Sequence, residues 1–416
     1  MQIVADLHLH SRYSRAVSPL MTISEIARWA RKKGLDLVAS GDWTHPLWLR
    51  ELKAGLTEAG EGIFTSGDDF RGPKFILSTE IASIYSQGGK TRRIHNLVLA
   101  PSFGVVEKIN LALRKCGANL MADGRPIIGL SARDLAELIF SIDKNCLIIP
   151  AHIWTPWYSL YGSKSGFDSI KECFGEFSDH IYGIETGLSS DPAMNWRVAE
   201  LDNRSILSFS DAHSPAKLGR EMTIFKIDTP RLEYADIRKA IREQQIKLTV
   251  EFYPEEGKYH YTGHRKCAVV QSPLQTKKLG TTCPVCGRPL TVGVMHRVEQ
   301  LANRPFAINR SGRPNFVKLV PLAEILSEVL SVGVSSQKVI NEYERLIKSL
   351  GSELAILLRI KPELISRVGG KKLAEAISKV RQGKIVVTPG FDGVFGIVKI
   401  WPDQGQPPRP SQESLF

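Results

Sequence analysis

The sequence contains no apolar run that approaches the ~20 residues a helix needs to span a bilayer. Its opening, Met1 to Asp6, has neither a basic segment nor a long apolar stretch, so we expect no secretory signal peptide. Cysteine is scarce: only six occur among 416 residues, three of them scattered and three clustered around one Cys-x-x-Cys. This distribution excludes a disulfide framework and favours a reducing compartment, the cytoplasm. A hydrophobic content of 43% is typical of a globular protein with two or three domains.

The net charge of +12 is concentrated in the second part of the chain. Residues 251–300 contribute +3 and residues 301–400 contribute +8, whereas the first 250 residues are nearly balanced. Two explanations of this positive charge are equally compatible with the composition: a well-solvated surface, or a surface that binds a polyanion. A half with balanced charge, joined to a basic half, suggests an enzyme in which the basic half binds a polyanionic substrate and the other half carries the catalytic residues.

Strand-like and helix-like patterns alternate along the first 250 residues. The strand-like runs cover residues 36–40, 74–78, 94–99, 147–150, 180–184 and 205–209. Amphipathic helical patterns, such as residues 23–30 and 132–139, lie between them. This alternation indicates a parallel α/β architecture, in which functional side chains gather at one mouth of a barrel.

The same half of the chain carries potential metal ligands. His8 and His10 follow an apolar opening run, and strand residues two apart project from the same face, so both can bind one cation. The further candidates, most of them at or just after strand-like runs, are Asp42, His45, Glu80, His95, His152, Asp211 and His213. One carboxylate with several histidines can hold two or three divalent ions, which activate water against phosphoesters.

In motif order, from Asp6-x-His8-x-His10 to Asp211-x-His213, residues 1–250 resemble the PHP (polymerase and histidinol phosphatase) superfamily. The resemblance implies a distorted (β/α)7 barrel with a di- or trinuclear site for Zn²⁺ or Mg²⁺/Mn²⁺ and phosphoesterase activity. It implies the following ligands: His8, His10, Glu80 and Asp211 for one metal, Glu80 as a bridge with His95 and His152 for the second, and His213 for a third. Glu80 and Asp211 are thus candidate catalytic residues.

One motif departs from the superfamily pattern. Members usually have Thr-Asp-His where this chain has Gly41-Asp42-Trp43, so a third metal site is either absent or built from Asp42 or His45. Asp191, which follows the strand-like run at 180–184, is a further candidate for catalysis or positioning.

His264-x-x-Cys267 and, after fifteen residues, Cys283-x-x-Cys286 predict one structural zinc site. Thiolates with one imidazole suit tetrahedral Zn²⁺. His260 and His296 are rival fourth ligands, and His264 is preferred because its spacing to Cys267 mirrors that of the Cys-x-x-Cys.

From residue 321 the chain is predicted to be helical, because apolar residues recur with helical spacing over 322–330 and 339–350. Gly369, Gly370, Lys371 and Lys372 stand at a predicted helix start, where free backbone N–H groups and lysines could bind DNA phosphates. This segment resembles half of a helix-hairpin-helix motif, and a plain helical turn is equally compatible.

A strand pair is predicted at 384–387 and 396–400.

The barrel motifs, the Tyr259–Cys267 segment, the Cys-x-x-Cys and the Thr388–Gly393 turn occur in an order that resembles the endonuclease Q family. The resemblance implies metal-dependent nicking of DNA on the 5′ side of deaminated bases (uracil, hypoxanthine, xanthine) and abasic sites, through metal-activated water. A lesion base hidden in a duplex would have to be flipped out. Trp154, Trp157 and Tyr158 follow the ligand His152 and could line its pocket, or pack between helices instead.

We therefore expect a barrel over 1–250, a zinc-binding module over 251–300, a basic helical DNA-binding domain over 301–400 and a flexible tail over 401–416. The tail ends in Gln412-x-x-Leu415-Phe416, which resembles the peptide by which repair proteins bind bacterial sliding clamps. The expected partners are damaged DNA and a sliding clamp, with no membrane. Two alternatives are a small-molecule phosphoesterase of the same superfamily and a non-catalytic DNA-binding adaptor.

Overall fold

The computed structural model describes residues 1–67, 69, 71–305 and 312–402. The described residues up to Glu251 form twelve strands. They are β1 (Gln2–Asp6), β2 (Leu37–Ala39), β3 (Leu56–Gly60), β4 (Ile63–Ser66), β5 (Lys74–Gln87), β6 (Lys90–Ala100), β7 (Ile127–Ile128), β8 (Leu147–Pro150), β9 (Gly183–Glu185), β10 (Ser205–Leu207), β11 (Met222–Lys226) and β12 (Ile246–Glu251).

These strands bring the ends of β1, β2, β8, β9 and β10 together. β1, β2 and β5 are parallel neighbours, β6 is antiparallel to β5, and β8 is antiparallel to β6. β9 and β10 form a separate parallel pair. A hydrogen bond from the N–H of Ile153 to the carbonyl of Glu185 (3.1 Å) links this pair to β8, and a parallel bridge between Leu9 and Ala212 links it to β1. The ring of strands is thereby closed.

Seven helices accompany these strands. They are α1 (Ile23–Lys33), α2 (Pro46–Gly55), α3 (Phe103–Lys115), α4 (Ala132–Ile142), α5 (Ile170–Phe174), α6 (Pro192–Asn195) and α7 (Tyr234–Arg242). Their ends follow from local sequence: the hydroxyl of Ser131, for example, caps α4 by accepting from the N–H of Asp134. α4 then buries Leu135, Ile139 and Phe140, and each such side chain contributes about 1.5–3 kcal/mol.

The second half holds two short strand pairs, one added strand and seven helices. Its elements are β13 (Thr262–His264), β14 (Val269–Gln271), α8 (Pro273–Leu279), α9 (Val294–Leu301), β15 (Asn315–Lys318), α10 (Leu322–Leu330), α11 (Gln337–Leu350), α12 (Glu353–Leu358), α13 (Pro362–Gly369), α14 (Lys371–Arg381), β16 (Val386–Thr388) and β17 (Ile397–Lys399). β15 is parallel to β12 and so extends the sheet of the first half.

The α/β fold with a helical C-terminal region is confirmed, as are the helices expected after residue 321. Two local expectations were wrong. β6 runs antiparallel to its neighbours, so the strands do not form a regular parallel (β/α) ring. Glu80 lies inside β5, not at a strand end. Among the described helices, none is long and apolar enough to cross a bilayer.

Candidate metal centre and adjoining cavity

Six of the predicted ligands converge on one site, two of them, Glu80 and His95, from within β5 and β6. His8, His10 and Asp211 form one group, and Glu80, His95 and His152 form a second. Within each group the ligand atoms, one from each residue, all lie within 4.8 Å of one another.

Glu80 joins the two groups, as expected of a bridging ligand. Its Oε1 lies 2.7 Å from Nδ1 of His95 and 3.1 Å from Nε2 of His152. Its Oε2 lies 3.4 Å from Nε2 of His10. The Glu80 carboxylate is completely buried, and each of its oxygens contacts at least one histidine of the two groups.

The first group has the donor atoms that a divalent metal requires. Nε2 of His8, Nε2 of His10 and Oδ1 of Asp211 are buried and have no hydrogen-bond partner among the described residues. A buried polar atom without a partner is costly, and two imidazole nitrogens beside a carboxylate oxygen suit a transition metal or zinc. The residues therefore fit a divalent cation.

The opposite ring nitrogens of these histidines are held by carboxylates. Nδ1 of His8 lies 2.9 Å from Glu185, which also accepts the backbone N–H of His152 at 2.8 Å. Nδ1 of His10 lies 3.0 Å from Oδ1 of Asp42. A carboxylate behind a histidine fixes the tautomer that presents Nε2 to a metal. Glu185 was missed by the sequence argument, although it ends a strand beside the ligands.

Charges within the cluster shift its titration strongly. Burial opposes ionisation of His8 and His10, but their carboxylate neighbours raise the pKa of both imidazoles well above the ordinary value. Burial alone would raise the pKa of Glu80; the charges of His95 and Arg125, the nearby His10 side chain and the hydrogen bond to His152 instead lower it well below its usual range. Burial lowers the pKa of His95 to about 4. A cation at this cluster would take the place of the protons on His8 and His10.

Three residues of the cluster adopt left-handed backbone conformations that side chains rarely take. Asp42, His152 and Asp211 have φ values of 45°, 33° and 46°. Each follows one of the converging strands. Such strain concentrates at functional sites, because the surrounding contacts must maintain it.

The candidates for a third metal do not join either group. The carboxylate of Asp42 is used by His10 on one oxygen and by Ser11 and Ser14 on the other. His45 stacks on Tyr13, with ring centroids 4.6 Å apart. His213 lies nearby, since its Nδ1 is 2.9 Å from the carbonyl oxygen of Asp211.

Asp191 lies outside the metal groups and is used structurally. Its carboxylate caps α6 by accepting the N–H of Met194 at 2.9 Å, and it pairs with Nζ of Lys318 at 2.8 Å. These contacts give no support to the expectation that Asp191 takes part in catalysis.

The four predicted zinc ligands also converge. His264, Cys267, Cys283 and Cys286 form a third group with the same close spacing, and Nδ1 of His264 lies 3.4 Å from Sγ of Cys286. Burial opposes ionisation of Cys283, but hydrogen bonds from His264 and from nearby backbone N–H groups lower its pKa to about 6, which favours the thiolate that zinc binds. The rivals, His260 and His296, are not members of this group.

A cavity of about 830 Å³ lies beside the second ligand group. Its lining combines two carboxylates, Glu256 and Glu324, with a larger set of aromatic and cationic side chains. The latter are Arg93, Trp157, Tyr158, Lys217, Arg220, Phe252, Lys258, Tyr259 and Phe395, and Lys217 pairs with Glu324 at 3.1 Å. The ring of Tyr158 is 4.7 Å from that of His95, and Arg220 donates to the carbonyl of Asp211 at 3.3 Å. Trp157 and Tyr158 thus line this cavity. Trp154 does not: it is fully buried, its indole N–H donates to Asn195 at 2.8 Å, and it belongs to the core.

The Gly369–Lys372 segment forms the junction between α13 and α14. Gly370 has a φ of 88° and separates the two helices, and Lys371 begins α14. Lys372 donates to the carbonyl of Val329 at 2.9 Å. Gln412, Leu415 and Phe416 lie outside the described residues.

A family model, the MJ0043 C-terminal domain, matches residues 321–384, which correspond to α10–α14. The chain is 36% identical over 256 residues to an uncharacterized protein, MJ0043, of Methanocaldococcus jannaschii; this alignment covers 60% of the chain and 32% of that protein. The chain therefore spans about a third of the length of this relative.

Two solved structures match almost the whole chain. One is the lesion-specific endonuclease PfuEndoQ from Pyrococcus furiosus, with a TM-score of 0.84, 34% identity, and coverage of 96% of this chain and 95% of that one. The other is endonuclease Q in complex with a 27-mer duplex that has an abasic lesion at the active site. It has the same score and identity and covers 97% of each chain.

Proposed function

This chain belongs to the endonuclease Q family, and on that premise we propose that it is a metal-dependent DNA repair endonuclease. In this proposal it hydrolyses the phosphodiester bond on the 5′ side of uracil, hypoxanthine, xanthine and abasic sites. The observation that carries the proposal is the pair of metal-ligand groups joined by Glu80 and placed beside an aromatic, cationic cavity. A small phosphate ester would need neither this cavity nor the basic second half.

His8, His10 and Asp211 would hold one divalent metal, and His95 and His152 would hold a second, with Glu80 shared between them. Bound there, the metals would supply Lewis acidity that activates water and neutralises charge on the phosphate. Glu185 and Asp42 orient His8 and His10, so that both Nε2 atoms face the site. Zn²⁺, Mg²⁺ and Mn²⁺ all remain candidates for the two positions.

The cavity would receive the lesion nucleotide once it leaves the duplex. Trp157 and Tyr259 form an edge-to-face pair with centroids 5.5 Å apart, which offers a surface against which a base can stack. Arg93 and Lys258 also line the cavity and could contact the flanking phosphates. An abasic site would place only its sugar and phosphates here.

The basic second half would hold the rest of the duplex. Zinc bound by His264, Cys267, Cys283 and Cys286 would stabilise residues 262–291, where β13 and β14 provide little core of their own. Gly369, Gly370 and Lys371 would contact DNA phosphates at the start of α14, since the first N–H groups of a helix favour anions.

One experiment tests this function. Duplexes of one sequence, each with a single uracil, hypoxanthine, xanthine, abasic site or normal base, are incubated with the metal-loaded protein and resolved on a sequencing gel. We expect nicks in the four lesion duplexes and none in the normal one. Hydrolysis of phosphate monoesters alone would favour the small-molecule phosphoesterase, and binding without any cleavage would favour the adaptor.

We also propose that the tail docks on a sliding clamp through Gln412, Leu415 and Phe416. Its support is the sequence pattern alone. A short extended peptide binds weakly, because ordering it offsets much of its contact energy. Deletion of residues 411–416 should leave cleavage of short duplexes unchanged and abolish clamp binding in calorimetry. Equal clamp binding by the intact and truncated proteins would disprove the docking role.

A further inference from the structure

The segment Asp123–Arg125 lies directly over the ligand cluster. The carbonyl of Gly124 accepts from the hydroxyl of Thr44 at 2.9 Å, and its N–H donates to the carbonyl of Tyr13 at 3.1 Å. A side chain at Gly124 would collide with Ser14 and Asp42, so the backbone approaches the cluster as closely as a glycine permits. The hydrogen bonds of Gly124 therefore fix the backbone from which the Arg125 side chain extends.

The guanidinium of Arg125 has one edge on the bridging carboxylate and the other edge open. Nη1 lies 3.0 Å from Oε2 of Glu80. The Arg125 side chain is 25% exposed, whereas that of Glu80 is fully buried. Within the described parts of the chain, Nε and Nη2 of Arg125 have no hydrogen-bond partner. These N–H groups are free to bind an anion at the open side of the site.

Arg125 is also a cation close to the place expected for a third metal. Both oxygens of Asp42 are occupied, by His10 on one side and by the N–H and hydroxyl of Ser11 together with the hydroxyl of Ser14 on the other. An additional ion at Asp42 would have to compete with these four contacts. The positive charge beside Glu80 is supplied by the chain itself.

We propose that Arg125 binds a non-bridging oxygen of the scissile phosphate and takes the place of a third metal ion. The proposal rests on the proposed function. As water oxygen bonds to phosphorus and the bond from phosphorus to the 3′ oxygen breaks, a proton passes from the water to the 3′ oxygen. The guanidinium keeps all its protons throughout. Its positive charge and its N–H donors stabilise the negative charge that develops on the phosphate oxygens.

The test compares Arg125→Gln and Arg125→Lys with a matched control, Arg15→Gln. Arg15 pairs with Asp123 of the same segment at 3.6 Å and is mostly exposed. Single-turnover nicking of an abasic duplex should fall about a hundredfold in Arg125→Gln, because one charge-stabilising donor group is lost. Metal content and duplex affinity should be unchanged, Arg125→Lys should recover part of the rate, and Arg15→Gln should match the wild type.

A sulfur substitution in the phosphate distinguishes two roles of Arg125: direct contact with the phosphate, and positioning of Glu80 alone. Replacing the contacted phosphate oxygen with sulfur should slow the wild type but add little to the defect of Arg125→Gln, since both changes remove one interaction. Multiplicative defects, a wild-type rate in Arg125→Gln, or a loss of metal that accounts for the loss of rate would each overturn the proposal.

The two proposals can fail separately. If the wild type nicks no lesion duplex, the proposed function fails, and the same three variants are compared on bis(p-nitrophenyl) phosphate. A selective loss of hydrolysis in Arg125→Gln would then still support the role of Arg125. Equal hydrolysis by all variants, or none by the wild type, would overturn it.

Discussion

Gly187 shows how closely the backbone must approach one ligand residue. Its φ is 59°, and an added Cβ would collide with the Cβ and Cα of His152. His152 itself has a strained φ of 33°, and such strain costs about 1–3 kcal/mol. The Glu185 carboxylate holds the His152 N–H and thereby helps to maintain that conformation.

Gly187→Ala should therefore displace His152 and weaken metal binding at the second group. The control is Gly117→Ala, because Gly117 also has a positive φ, 85°, but open space around its Cβ position. Both variants should lose about 1–2 kcal/mol from the left-handed backbone, measured by thermal unfolding. Only Gly187→Ala should lose bound metal in mass spectrometry. Full metal content in Gly187→Ala would show that His152 is not a ligand.

The sequence identified the residues that form the two groups because their types and order form a motif, and it missed the residues that support them. His8, His10 and Asp211 stand in compact Asp/His motifs. Glu185 and Arg125 reach the cluster from a separate strand and a separate loop, with no spacing that ties them to those motifs. Asp42 was assigned to a metal because an Asp at a strand end can be either a ligand or the partner of a ligand.

At the scale of elements, the β5–β6 hairpin explains why Glu80 was misplaced. The predicted strand ended at residue 78, but β5 continues to Gln87 and turns back through Gly88 and Gly89, both with positive φ. β5 is buried on both faces here, and Ser78, Thr79, Glu80 and Ser83 all have almost no exposure. Polar residues required by the metal centre thus interrupt the apolar pattern by which a buried strand is recognised.

We expect the segment around His264, Cys267, Cys283 and Cys286 to depend on bound zinc more than on apolar packing. Cys283→Ser should lose one tightly bound zinc and unfold residues 262–291, since apparent binding energies of such sites are on the order of 10 kcal/mol. Cys116→Ser, which changes an exposed free cysteine, is the matched control. Zinc content by mass spectrometry and protection of the segment from proteolysis measure the effect. An unchanged zinc content in Cys283→Ser would remove the structural site.

The end of β12 contains a buried acid whose titration affects stability. Burial, together with the charge of Asp191, raises the pKa of Glu251 from 4.5 to about 7, although Ser208 donates to its carboxylate at 2.6 Å. The folded state therefore favours the protonated form. Its stabilisation is complete below pH 4.5 and is lost as the pH rises through 7, by on the order of 3 kcal/mol.

Glu251→Gln keeps the shape of the side chain and removes this titration. The stability of the variant, measured by urea unfolding between pH 5 and 8, should fall less with rising pH than that of the wild type. Glu61→Gln, at an exposed position, should follow the wild type. Parallel curves for the wild type and Glu251→Gln would show that Glu251 is ionised throughout.

At the scale of the whole molecule, the segments expected as separate domains are joined more closely than composition suggests. β15 pairs with β12 across the boundary expected at residue 300, and Gly390, in the turn between β16 and β17, donates to the carbonyl of Glu255 at 2.8 Å. Nζ of Lys33 in α1 lies 2.6 Å from the carboxylate of Glu353 in α12, and both side chains are buried. Composition indicated where the charge lies, but such long-range contacts leave no local signal in the sequence.

The central claim is that the cluster around Glu80 cuts DNA beside a lesion, and the position of the cut tests it most directly. A duplex with one abasic site is incubated with the wild type, Glu80→Ala, Asp211→Asn and the exposed control Asp228→Asn, and the products are mapped to single-nucleotide resolution. We predict one nick immediately 5′ to the abasic site for the wild type and Asp228→Asn. Glu80→Ala and Asp211→Asn should bind the duplex without cutting it. Wild-type cleavage by either folded variant, or nicks unrelated to the lesion, would contradict the account.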